Sequence, residues 1–174
     1  MKKEFVTLGA AAAAAVVAVG FFVISKDSEE KKLSFSQMSE IKSSASRIGT
    51  YLGVLGACLN DEKLGNALGT ESIAGMWDPS KTLTVDQVKS KVITAMEESG
   101  LGNDDLSEID NIIRDRQNEV QQGASSDIAV NFEAGVEICI AVMSQTAVFE
   151  KKTILPDDPI ERINVFAKIS PLSQ

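Results

Sequence analysis

The chain has 174 residues, a formal net charge of −8, two cysteines and no histidine. Its acidity argues against nucleic acid as a partner, because that needs basic surface. The missing histidine removes the commonest general base, metal ligand and pH switch together, and no catalytic or cofactor motif is present. The expectation is a non-catalytic protein without cofactor or metal.

The first element is an apolar leader. Lys2 and Lys3 precede an uncharged run from Phe5 to Ile24, and charge resumes at Lys26. Twenty helical residues rise about 30 Å, the thickness of a bilayer's hydrocarbon layer. Residues 1–25 are therefore expected to be a membrane anchor. A cleaved signal peptide is the alternative, with weak cleavage sites at Ala18-Val19-Gly20 and Val23-Ile24-Ser25. The apolar run ends on Phe21-Phe22-Val23-Ile24, where a signal normally turns polar. Basic residues stay on the cytoplasmic face. The N-terminus is thus expected inside, with the body in the periplasm or outside the cell, and secreted if the leader is removed. The membrane is the first expected partner. Lys2 and Lys3 against Glu4 give the leader a charge of +1, which leaves −9 for the exported body. Such a body suits a protein partner with a basic surface.

Residues 26–33 read as a charged linker. From Ser34 onward the pattern is helical throughout, so the fold class is all-α: a small bundle of about five or six helices over residues 34–149, then a tail over 150–174. The first long helix is expected from Ser34 to Leu59. Phe35, Met38, Ile41, Ala45, Ile48, Leu52, Leu55 and Leu59 form one stripe at steps of three and four. Beside it lie Gly49, Gly53 and Ala57. Glycines weaken helices, so this smooth edge predicts close approach of another helix. Cys58 follows it, and Cys139 sits in another apolar helical pattern. An even cysteine count in an oxidising space predicts a Cys58–Cys139 disulfide.

The stretch from Asn60 to Trp77 is broken by glycines into two short helices, about Asp61–Leu68 and Glu71–Met76, and Asp78-Pro79-Ser80 reads as a turn. Thr84 and Gln87 form a capping box for a helix that buries Val85, Val88, Val92 and Met96 and stops at Gly100. Asn103 is expected to cap the next helix, which stops at Gly123. Ser126 is expected to start the last long helix, through Phe149. That helix is apolar on more than one face and is expected to be central, paired with the first. Pro159 suits the first turn of a short amphipathic helix through Lys168.

Three groups are candidates for contact or chemistry. Glu97 to Glu119 carries a net charge of −6, and Asp104, Asp105 and Glu108 there are candidate partner contacts. They lack the alternating ligands and central glycine of a calcium loop. Trp77, Ile160 and Phe166 are candidate apolar contacts for a partner, the last two if the tail helix is received in a groove. Glu133 and Glu137, four residues apart in the most apolar helix, are candidate buried charges with Arg47 as their expected partner. The leading functional reading is an envelope-exposed binding or assembly protein, such as an accessory subunit of a membrane complex. The alternatives are a small envelope enzyme or enzyme inhibitor using carboxylates near Glu133 and Glu137, and a structural spacer.

Overall fold

The structure is a computed structural model that describes residues 32–61, 82–150 and 154–169. The leader, most of the linker, the two short helices, the turn and Trp77 lie outside the described residues. Within them the chain is helical, with no strand. The elements are α1 (Phe35–Asn60), α2 (Val85–Glu97), α3 (Asn103–Val130), α4 (Phe132–Glu150) and α5 (Pro159–Ile169).

Local chemistry explains most boundaries. Ser34 and Gln37 form a reciprocal capping box at the start of α1: the Gln37 N–H donates to Ser34 Oγ, and the Ser34 N–H donates to Gln37 Oε1. Thr84 and Gln87 do the same for α2, as the spacing predicts. The turn after α2 closes on Gly100, whose φ of +86° suits a residue without a Cβ. At α5, Asp158 Oδ1 accepts from the N–H groups of Ile160 and Glu161, and Pro159 occupies the first turn, where its missing N–H costs nothing.

Two boundaries differ from expectation. Gly102, not Asn103, precedes the first turn of α3. Gly123 does not stop that helix, which continues past Ser126 to Val130. A glycine in helical φ/ψ lowers helix stability but does not end the helix. The break comes at Asn131, whose φ of −128° and ψ of 83° are not helical. Its N–H donates to Asp127 O, its carbonyl accepts from Gly135 N–H, and its Oδ1 accepts from Ala134 N–H. One residue thus closes α3 and opens α4.

The central pair also differs from expectation. α1 packs along α3 rather than chiefly against α4. The two helices run parallel and in step: Lys42 Nζ meets Glu108 Oε1 at 2.6 Å, Arg116 Nε donates to Thr50 Oγ1 at 3.1 Å, and Gly53 lies against Gln117 and Val120. The smooth edge is the cause. A Cβ on Gly49 would lie 2.7 Å from the Ile113 carbonyl oxygen, and one on Gly56 2.7 Å from Gln121 Oε1. Ala57 is buried at the end of this edge.

The core gathers Ile41, Ile48, Leu52 and Leu55 of α1, Val88, Val92 and Met96 of α2, Ile109 and Ile113 of α3, Met143 of α4 and Ile163 of α5. Burying each such side chain contributes about 1.5–3 kcal/mol before entropy is subtracted. The ends of the α1 stripe fall outside this core: Phe35 and Leu59 are exposed.

α5 belongs to the same core. Arg162 is buried, with Nε donating to Pro156 O at 2.5 Å and Nη1 to Ala95 O at 2.8 Å. Its charge faces Glu98 and Asp157 at 3.9 and 3.8 Å. On the other side of α5, Ser44 Oγ donates to Asn164 Oδ1, and Asn164 Nδ2 donates to Glu40 Oε1. The aromatic rings of Tyr51, Phe149 and Phe166 stack in sequence, with centroids 5.9 and 5.8 Å apart.

Candidate functional site

Cys58 and Cys139 are joined, with Cα atoms 5.5 Å apart and both residues buried. The bond ties the C-terminal end of α1 to α4. Two hydrogen bonds hold α4 further along. Tyr51 Oη donates to Val142 O at 2.9 Å, and Thr146 Oγ1 accepts from Leu83 N–H at 3.1 Å. Burial pushes the Tyr51 phenol well above its ordinary pKa, so it stays a donor.

These ties bury one side of α4: Gly135, Cys139, Val142, Met143, Thr146 and Phe149. Beside it runs an exposed apolar stripe of Ala134, Ile138, Ala141 and Val148, interrupted by Gln145, while Glu133, Glu137 and Ser144 occupy the exposed side opposite the core. By length and composition alone, Phe132–Phe149 is apolar enough to cross a membrane. Its disulfide and buried side instead fix it in the bundle. α4 is therefore not the central helix that its all-round apolarity predicts; it lies at the surface.

The exposed apolar face runs into a corner. α3 turns into α4 at Asn131, and Val54 of α1 closes the inner side. The cleft so formed has a volume of about 260 Å³ and is lined by Val54, Ala124, Asp127, Ile128, Asn131, Ala134, Gly135 and Ile138. Gly135 lets the helices meet there, since a Cβ would lie 3.1 Å from the Ile128 side chain. Val130, next in sequence to Asn131, is 88% exposed. Every charged residue of the 124–138 stretch is acidic: Asp127, Glu133 and Glu137. The facing stretch of α1, from Ile48 to Asn60, carries no charge. The cleft is thus apolar apart from Asp127 and Asn131, and the charges nearby in sequence on α3 and α4 are all acidic.

The structure separates the candidate buried charges. Arg47, Glu133 and Glu137 are all exposed, and among the described residues no ion pair joins them. Their charges stay in water, so no buried pair is needed to offset desolvation. No described cleft brings the three together.

Asp104 is exposed and Asp105 half-buried in the first turn of α3, where carboxylates complement the helix dipole. Glu108 pairs with Lys42, and Asp110 with Lys89 at 3.5 Å, so part of the acidic stretch serves contacts between helices. Among the described residues no group of three acidic or sulfur side chains is placed to hold a metal ion.

Ile160 and Phe166 both lie on the side of α5 that meets the bundle. Phe166 is buried against Phe149, and Ile160 packs on the core. The reason is Arg162, whose two carbonyl partners hold α5 against α2 and the preceding loop. Trp77 lies outside the described residues.

Val54, Asn131 and Ile138 are not marked by the sequence pattern, and Ile128 is marked only as part of an apolar helical stripe. The available signal was the run Ala129-Val130-Asn131-Phe132, an asparagine between apolar residues in an otherwise continuous helical pattern. No family model matches the chain, and no curated protein or solved structure matches it at a significant level.

Proposed function

We propose that the chain is a non-catalytic binding or assembly protein of the cell envelope, held at the membrane by its apolar leader and presenting an acidic helical body to a protein partner. The observation that supports this reading most is the α4 surface. A helix fixed by a disulfide on one side leaves an apolar stripe, Ala134, Ile138, Ala141 and Val148, in solvent, and exposed apolar patches mark interaction sites. The body's net charge of −9 favours a basic partner over another acidic surface. The disulfide is consistent with an oxidising compartment, and the leader supplies the route to it.

The test is affinity purification of the full chain from detergent-solubilised membranes, with the intact mass measured on the same sample. The reading expects membrane retention, a mass that includes residues 1–25 and two fewer hydrogens for the disulfide, and a stoichiometric protein partner. A mature chain beginning near Lys26 replaces the anchored form with a secreted one. Recovery from the cytosol with both thiols open to alkylation overturns the reading.

A further inference from the structure

We infer that the α3–α4 corner is the binding site itself, and that its occupant is a cationic amphipathic helix of a partner protein, with apolar side chains seated in the cleft and lysine or arginine on their flanks. The inference rests on the binding role proposed above and adds the place and the chemistry of the ligand.

Three observations select this occupant. The cleft is small, about 260 Å³, near the lower end of the range of ligand sites. Its lining is apolar apart from Asp127 and Asn131. That suits a few anchoring apolar side chains. Beyond the cleft the exposed stripe continues along α4. Ala134, Ile138, Ala141 and Val148, at steps of four, three and seven, offer an apolar track broken by Gln145, which an amphipathic helix matches with its own repeat. The nearby charges decide the sign. Asp127 lines the cleft, Glu133 and Glu137 stand on the exposed side of the same turns of α4, and among the described residues none of them forms an ion pair. A second copy of this chain would bring the same carboxylates face to face, and anionic lipid headgroups would be repelled likewise. Basic flanks on an apolar stripe satisfy both the track and these charges.

The probe is a fluorescein-labelled peptide of about 14 residues, long enough to form a helix on binding. It is made of leucine and lysine with leucines on one face. The same design with glutamate replacing lysine is the control. Anisotropy is read on the full chain in detergent with the disulfide intact. The lysine peptide is expected to bind and the glutamate peptide not to. Ile138→Asp changes an exposed position, so the fold should survive; circular dichroism checks this. It is expected to weaken binding at least about tenfold, the loss of one apolar anchor. Asp127→Asn with Glu137→Gln is expected to weaken binding and flatten its salt dependence. Asp104→Asn with Asp105→Asn, at the far end of α3, is expected to leave affinity unchanged.

Equal losses from both acidic pairs reduce the interaction to general charge attraction and overturn the inference. So does an Ile138→Asp chain that binds normally. Two other occupants have their own signatures. If the wild-type chain is a dimer that Ile138→Asp splits, the corner belongs to a second copy. If Ile138→Asp alone shifts the emission of Trp77, the chain's single tryptophan, residues 62–81 cover the face. Either result overturns the inference. An Ile138→Asp chain that still retrieves the wild-type partner from membranes rejects the corner while leaving the binding role intact.

Discussion

A Cβ on Gly53 would lie 2.7 Å from the carbonyl oxygen of Gln117, one helix over. It would also meet Val120 Cβ at 2.7 Å and the Gln121 amide nitrogen at 3.0 Å. Two of these three neighbours are backbone and cannot turn aside. Gly53→Ala gains about 1 kcal/mol in helix propensity but forces apart a pair of long helices, an overpacking cost of about 1–3 kcal/mol. The expected net loss is up to about 2 kcal/mol in urea unfolding. Gly123→Ala is the internal control. It sits in α3 with nothing within 4 Å of its added methyl, so it is expected to stabilise by about 0.5–1 kcal/mol.

The Cys58–Cys139 bond closes a loop with a sequence separation of 81. In the chain-entropy view such a cross-link is worth about 3–5 kcal/mol. The double substitution Cys58→Ser, Cys139→Ser is expected to lower stability by that amount and to make urea unfolding insensitive to dithiothreitol. In the wild type both sulfurs are buried. Reduction under native conditions should therefore run no faster than unfolding, as read by mass after quenching with an alkylating agent.

Tyr51 supplies a pH prediction with a clean signal, because it is the chain's one tyrosine. Burial raises its pKa in the folded state, while the unfolded chain titrates near the ordinary value of about 10. The unfolded state therefore loses its proton first. The stabilising contribution is complete below about pH 10 and is lost as pH rises beyond it, at up to about 1.4 kcal/mol per pH unit. The tyrosinate absorption band is expected to appear together with unfolding rather than as a separate titration near pH 10. In Tyr51→Phe the alkaline loss of stability should be shallower by that slope.

Arg162→Met removes a buried guanidinium that satisfies the carbonyls of Pro156 and Ala95. Leaving both acceptors without that donor is expected to cost about 2–4 kcal/mol. Hydrogen exchange should accelerate in α5, while the α1–α3 contact stays protected. Arg162→Lys should not restore protection, because one ammonium cannot reproduce the fork that spans the two carbonyls.

The helices, the capping box at Thr84 and the disulfide partner were legible because each depends on residues close in sequence or on the only two sulfurs present. The identity of the helix that fills the glycine edge was not. Gly49 and Gly53 announce that some backbone comes near, and nothing local says that it is the Ile113–Gln121 stretch. Asn131 was hidden for a different reason. The apolar pattern continues across it, and Gly123 offered a more obvious stopping point that the packing never uses. The corner was invisible because its lining comes from three helices. The tail helix illustrates the opposite case. Phe166 suits a groove on a partner as well as one in its own bundle, and the choice rests on Arg162, a residue with no apolar signal at all.

Phe35 opens α1, and Val54 lines the cleft nineteen residues later, about 28 Å along the axis. Tension applied to the N-terminal segment would thus enter the bundle at the opposite end from the cleft. It would travel down a single rod and cross at Cys58 into the helix that forms the cleft wall. The last step in that path is a covalent bond. A load along α1 would meet the Tyr51–Val142 hydrogen bond first, and the sulfur bridge would still hold the two helices together once that contact had yielded.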